Sequence, residues 1–343
     1  MFRSVVILSR FWLAALATVM IVAVAGGQAA AQDPALEYFR IGTGSAAGTY
    51  FPVGELLAGV ISLPPGAAKC GPGGHCGVAG LIAVAQDSTG SVANVNGVAS
   101  GRYDSALAQA DVIHGAFFGT DPFTEDVSYP DIRVIANLYT EALHLVVRKD
   151  AGITSVADLK GKRVSVDTAQ SGTWRDALLI LEAFGIGRDD AEIVEVNFEQ
   201  ASDSLLAGDL DAYFLMTGFP ASGVVDLAAK GAVNVVPITG AVIDRLRKRE
   251  LYFRATTIPA DAYEGIGEVA TIGVGAQWIV RADHNEQRVY EITRALWHPT
   301  ALEILKKGHP RARDIRVETA LQGVTTPIHA GALRYYLEAG ILE

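Results

Sequence analysis

Four times along this chain a short apolar run gives way to a loop of glycine, serine and threonine, and the loop opens a helical pattern. The first instance is Phe39-Arg40-Ile41-Gly42 as a strand, Thr43 to Gly48 as the loop, and a helix that opens at about Thr49 to Pro52 and runs to about Ser62. Pro52 suits a first helical turn, where a missing N–H removes no hydrogen bond. The side chains ahead of it are too small to cover the backbone. Loop amides and the first free helix N–H groups therefore stay open to a ligand, and the helix dipole favours an anion there. The glycines run G-x-G-x-x-x-G (Gly42, Gly44, Gly48), one residue longer than a dinucleotide fingerprint, with no clear acidic residue ending a following strand.

The device recurs. Leu81 to Ala85 is a buried strand, Thr89-Gly90-Ser91 a loop, and Val92, Val95 and Ala99 line one side of the next helix. Lys162 to Asp167 is a strand, Thr168 to Thr173 the third loop, and Trp174, Ala177, Leu178 and Leu181 fall at i, i+3, i+4, i+7. Ala212 to Met216 leads through Thr217-Gly218-Phe219-Pro220 into a helix ending at Lys230-Gly231. Strands alternating with helices predict an α/β chain with mainly parallel sheets. The length of 343 residues suggests two folding units. Ligands in open α/β sheets sit beyond the carboxyl ends of strands. Four such loops on two facing sheets would enclose one small molecule.

Elsewhere the pattern is plainer. Ile132–Tyr139 and Ala142–Arg148 read as two strands, and His144 inside the second reads as a hydrogen-bonded structural histidine. Ser155 followed by Asp158 predicts a capping box. Gln109 and Asp111, after the short strand from Ser105, are placed to face the same crevice, with a helix N-cap as the competing role for Asp111. Asp244 to Glu250 is a solvated helix face, Thr271 to Val280 a long strand, and Pro327 to Gly340 a closing helix.

The N-terminus reads as an export leader: Arg3 and Arg10, an apolar run from Phe11 to Val24, and Ala29-Ala30-Ala31 as the cleavage site, leaving Gln32 first. An uncleaved anchor is the rival reading. The net charge is −10, and since Arg3 and Arg10 are the only charges before residue 32, the remainder carries −12. That argues against nucleic acid or an anionic membrane as partner. Cys70 and Cys76 are the only cysteines, and in an exported chain they are expected to form a disulfide. Zinc with His75 is the alternative, but it lacks a second Cys/His pair at suitable spacing.

Enzyme signatures are missing: no Gly-x-Ser-x-Gly elbow, Walker loop, zincin motif or CxxC occurs, and the seven histidines are scattered. The expectation is a binding protein with no cofactor and no metal.

The ordered set of Ile-Gly-Thr-Gly-(x)-Gly-Thr-Tyr-(x)-Pro from Ile41, Thr89-Gly90-Ser91-Val92-x-Asn94, Ile153-x-Ser155-Val156-x-Asp158-Leu159-Lys160-Gly161, and His329-Ala330-Gly331-Ala332-Leu333-Arg334-Tyr335-Tyr336 resembles the TAXI-type solute-binding subunits of TRAP transporters. The resemblance covers the chain after the leader. It implies a two-lobed periplasmic-binding-protein type II fold with two hinge crossings: a signal peptide over 1–31, lobe I over 32–140 and again 253–343, and lobe II over 141–252. It implies a monomer in the periplasm that closes on a glutamate-like amino acid or dicarboxylate and hands it to an ion-gradient-driven TRAP permease. Carried over residue by residue, the binding set is Thr43, Ser45, Gly48, Thr49 and Tyr50, then Ser91 and Asn94 with Gln109, then Ser171, Gly172 and Thr173, with Thr217 and Phe219 completing it. Ser45-Ala46-Ala47 and the Cys70–Cys76 insertion depart from the family pattern, and no arginine is marked out to pair with a carboxylate. An ABC-importer receptor shares this fold and is the alternative within binding proteins. A ligand-sensing domain and an exported α/β enzyme are the alternatives from other classes.

Overall fold

The computed structural model describes residues 36–67 and 76–342. The expected leader and Cys70 of the expected disulfide lie outside the described residues. The chain opens with β1 (Glu37–Gly42), α1 (Tyr50–Ile61), the short β2 (Ser62–Leu63) and β3 (Val78–Ala79), β4 (Leu81–Gln86), α2 (Ser91–Ala99), β5 (Ser105–Gln109) and α3 (Ala110–Phe118). A long β6 (Ile132–Arg148) leads to β7 (Arg163–Ser165), α4 (Gly172–Ala183), β8 (Glu192–Val194), α5 (Phe198–Ala207) and β9 (Ala212–Thr217). Then come α6 (Ser222–Ala229), β10 (Val233–Val236), α7 (Ala241–Arg249) and β11 (Arg254–Ile258). A second long strand, β12 (Val269–Arg281), precedes α8 (Glu286–Leu296), α9 (Pro299–Gly308) and α10 (Ala330–Glu338).

Ten of these strands share one sheet in the order β4-β1-β5-β12-β6-β9-β7-β8, with β10 added to β6 and β11 to β12. Its two arms are parallel, β4-β1-β5 at one end and β9-β7-β8 at the other. The centre is antiparallel, because β6 and β12 pair with each other and with the inner strand of each arm. The seventeen residues of β6 reach about 55 Å at the usual rise of a strand. No single hydrophobic core accommodates that length, and the side chains divide. Ile135, Leu138 and Tyr139 of β6 pack with Trp278, Leu57 and Tyr336 in one core, whereas Leu143, Leu145 and Val147 pack with Val164, Ile180 and Phe214 in another. In β12, Ala276, Trp278 and Val280 join the first core and Ile272 and Val274 the second. Two lobes with separate cores are thus joined by strands common to both.

The sequence pattern splits β6 in two because polar Thr140 and Glu141 interrupt its apolar run. The strand continues through them, pairing Thr140 with Gly275 and Glu141 with Val274. His144 is fully buried, its Nδ1 2.8 Å from the Ala142 carbonyl and its Nε2 2.9 Å from the Tyr263 hydroxyl. Burial lowers its pKa to about 4, so the ring is neutral. Ser155 and Asp158 form the capping box. Among the described residues no helix is long and apolar enough to cross a membrane.

Candidate functional site

Each parallel arm ends its strands toward the other lobe, as strands of open α/β sheets do where ligands sit. Between the lobes lies a cleft of about 940 Å³. The first lobe lines it with the loop after β1 and the start of α1, with Asp87 to Ser91 ahead of α2, and with Arg102, Tyr103 and Gln109. The second lobe contributes Asp167, Ser171 to Thr173 at the start of α4, Asn197 to Gln200 at the start of α5, and Leu215 to Thr217 at the end of β9. Glu141 of β6 reaches it from the strands that join the lobes.

Of the residues singled out in the sequence, Ser45, Gly48, Thr49, Tyr50, Ser91, Gln109, Ser171, Gly172, Thr173 and Thr217 line the cleft. Many are also tied to the protein. Ser91 Oγ accepts from the Gln109 amide (3.1 Å), Ser171 caps α4 by accepting from the Trp174 amide (3.3 Å), and Thr173 Oγ1 accepts from the Met216 amide (3.0 Å). Thr43, Asn94 and Phe219 fall outside the lining. Thr43 donates to the Gln86 carbonyl (2.6 Å), and Asn94 Nδ2 donates to the carbonyls of Thr43 and Leu107 (2.5 and 2.7 Å). These two fasten the first loop to β4 and β5. Phe219 stacks under the Arg311 guanidinium, 3.9 Å from its ring centre. Asp111 neither faces the cleft nor caps a helix: it lies in the first turn of α3, buried against Arg175.

The lobes touch directly across the cleft. Thr49 Oγ1 lies 3.1 Å from Thr217 Oγ1 and accepts from the Gly218 amide at 2.9 Å. Ser222 donates to the Ala47 carbonyl (3.1 Å), the Ala93 amide donates to the Gln170 carbonyl (3.0 Å), and Ser45 donates to Glu199. This is a closed arrangement. Gly172 makes it possible, because a Cβ there would stand 1.4 Å from Gln109 Oε1 and 2.4 Å from its Cδ. Gln109 is 2% exposed, so its only escape is into the cleft. Gly172→Ala is therefore expected to weaken solute binding at least about tenfold, read by titration calorimetry against the parent; equal affinity would remove Gln109 and Gly172 from the contact surface.

The electrostatics were not legible in the sequence. Asp87, Glu141, Asp167, Glu199 and Asp203 line the cleft, against the single guanidinium of Arg102. Glu141 is buried beneath the Tyr50 hydroxyl, which donates to its Oε2 at 2.6 Å. Burial pushes its pKa up to about 8, more than the Tyr50 bond lowers it, so near neutral pH it is a carboxylic acid. Asp167 is 8% exposed, with its pKa pushed up to about 6 by burial. It has φ +70°, the one positive φ at a non-glycine among the described residues. Its place after an apolar strand and before a small-residue loop is the signal that marks it in the sequence.

Likeness to solved structures agrees with this architecture. A structure described as a periplasmic transporter aligns with TM-score 0.52 and 14% identity, covering 79% of this chain and 87% of that one. The periplasmic binding protein BugD aligns with TM-score 0.51 and 14% identity over 89% of this chain and 98% of that chain. The Escherichia coli aliphatic sulphonate binding protein SsuA gives TM-score 0.47 and 16% identity over 88% and 83%. The fold is a periplasmic-binding-protein type II fold, with mixed α/β layers and helices flanking the sheet. A Haemophilus influenzae protein named for thiamine biosynthesis is 39% identical over 85 residues, which span 24% of this chain and only 26% of that protein. The resemblance to TAXI-type subunits is corrected by the family match, since the motifs that suggested it lie within residues 41–340, which match the NMT1-like family, and it is to this family that the chain belongs.

Proposed function

We propose that the protein is an extracytoplasmic receptor that closes on a small solute and delivers it to a membrane importer of the ABC type. The observation that carries the reading is the cleft of about 940 Å³ between lobes joined by two shared strands and bridged by direct hydrogen bonds. Closure would shift the population toward the form in which both lobes touch solute. The proposed contacts are the ten lining residues of the expected set, with Thr43, Asn94 and Phe219 as supports. The proposed first hinge crossing is near Tyr139 to Ala142. The return is proposed within β12, near Gly275, rather than at Tyr252 to Ile258, because Ile258, Val269 and Ile272 pack with second-lobe cores. The leader-like pattern of residues 1–31 supports a periplasmic location.

Membership of the NMT1-like family supports an ABC-type partner over an ion-gradient permease, since the latter rested on the resemblance that the family match replaces. Receptors for ABC importers share this fold. The carboxylates along the cleft weigh against the organic acid that the helix ends suggest. Binding without turnover is the reading's central claim. It is tested by a thermal-shift screen of amino acids, amines, sulfonates and carboxylates, followed by calorimetry and product analysis on each hit. A true ligand raises stability by about 2.7 kcal/mol at a hundredfold excess over Kd, binds one per chain and is recovered unchanged. Chemical conversion of the solute, or no ligand at all, overturns the receptor reading.

A further inference from the structure

We propose that the solute presents a cationic nitrogen to Asp167, and that Asp167 sets the charge specificity of the cleft; this inference rests on the receptor reading. Three independent features converge on it. The first is charge. With Glu141 held as an acid, four carboxylates, Asp87, Asp167, Glu199 and Asp203, line the cleft against Arg102 alone. Three of the four are exposed and screened by water. Asp167 is buried, so water screens its charge much less than theirs.

The second feature is that Asp167 lacks a charge partner. Among the described residues no arginine, lysine or histidine pairs with it, whereas Asp104, Asp111 and Asp211 each have an arginine. Its hydrogen bonds come from neutral groups, the neighbouring Thr168 amide (2.7 Å) and the Ser171 side chain. A buried carboxylate without a cation is costly unless one arrives. Its left-handed backbone is a further cost that an ordinary strand end avoids. The third feature is an orphan acceptor: Gln109, 2% exposed and lining the same cleft, has no hydrogen-bond partner at Oε1 among the described residues. An ammonium or guanidinium brings several N–H donors for Asp167 and for Gln109 Oε1, which here packs against Gly172 and meets a solute by turning into the cleft. A carboxylate or sulfonate brings none.

The opposing feature is the helix N-termini that open on the cleft. Each carries only about half a charge. Two have turned amides inward already, Trp174 to Ser171 Oγ and Gln200 to Asn197 Oδ1.

The test is titration of the full chain with putrescine, agmatine, L-arginine and choline, set against succinate, glutarate, ethanesulfonate and 1,4-butanediol at one ionic strength. The tightest binder is expected to be cationic. Asp167→Asn keeps a side chain that tolerates the left-handed backbone and is expected to weaken that binder about ten- to a hundredfold. If the tightest binder is an anion or the diol, or if Asp167→Asn binds the cation as well as the parent does, the inference falls while the receptor reading stands. If no compound of any charge binds, both fall.

Discussion

Replacing Arg175 by methionine is expected to destabilise the protein by about 3–5 kcal/mol, lowering its melting temperature by roughly ten degrees. Arg175 projects from α4 of the second lobe into a nearly dry pocket, 7% exposed. Its Nη1 lies 3.2 Å from Asp111 Oδ2 in α3 of the first lobe and 3.5 Å from Asp176 Oδ1. Its Nε lies 3.2 Å from Asp121 Oδ2, and its Nη2 donates to the Tyr252 hydroxyl at 2.5 Å. Burial opposes the guanidinium's charge, but Asp111 and Asp176 outweigh it and raise its pKa. Both aspartates are essentially fully buried, at 1% and 0% exposure, and burial raises the pKa of each.

One cation therefore compensates two buried acids, and its removal leaves both without one. A surface ion pair is worth under about 1 kcal/mol; the difference here is burial. Asp111→Asn with Asp176→Asn in the Arg175→Met background removes the uncompensated charge and is expected to restore much of the loss, a coupling that a mutant cycle reads directly. Urea unfolding at pH 7 decides the matter, and a loss below about 1 kcal/mol for Arg175→Met would show that the aspartates do not depend on it.

None of this clamp is visible in the sequence, where Arg175 and Asp176 look like the polar face of an amphipathic helix. What was legible is local. Small residues after an apolar strand announce a loop, and periodicity then announces the helix, so all four loop–helix units begin within a residue or two of their expected places. What was not legible depends on which elements meet. Thr43 sits in the first loop and Asn94 in the first turns of α2, yet their side chains hold backbone rather than face the cleft. Glu141 interrupted an apolar run and so read as a strand end, because periodicity cannot tell a solvated acid from one buried as a neutral acid. The family resemblance went astray for a related reason. Weak motifs for strand, loop and cap report a fold that several receptor families share, and cleft residues such as Asp167 lie outside them.

Glu141 supplies the second large effect, and its sign follows from its environment. Its carboxyl titrates near 4.5 when exposed and at about 8 in the folded protein, chiefly through burial, with Asp111 adding repulsion and the Tyr50 hydrogen bond opposing. The folded state thus holds a proton that the unfolded chain releases between those values. Stability from this group is fully present below about pH 4.5 and is lost as pH rises toward 8. A tenfold change in proton affinity is worth about 1.4 kcal/mol, so the interval carries on the order of 5 kcal/mol. Glu141→Gln preserves the shape, still accepts from Tyr50 and cannot ionise. The variant is therefore expected to match the parent near pH 4.5 and to exceed it by several kcal/mol at pH 9. Other acids, Asp167 and Asp176 among them, titrate in both proteins, so the difference between the two urea-unfolding profiles isolates Glu141 while their absolute slopes do not. Parallel profiles from pH 4.5 to 9 would mean that Glu141 is ionised in the folded cleft. Its charge would then add to those of Asp167 and Glu199, and the joining strands would carry a buried anion beneath the solute.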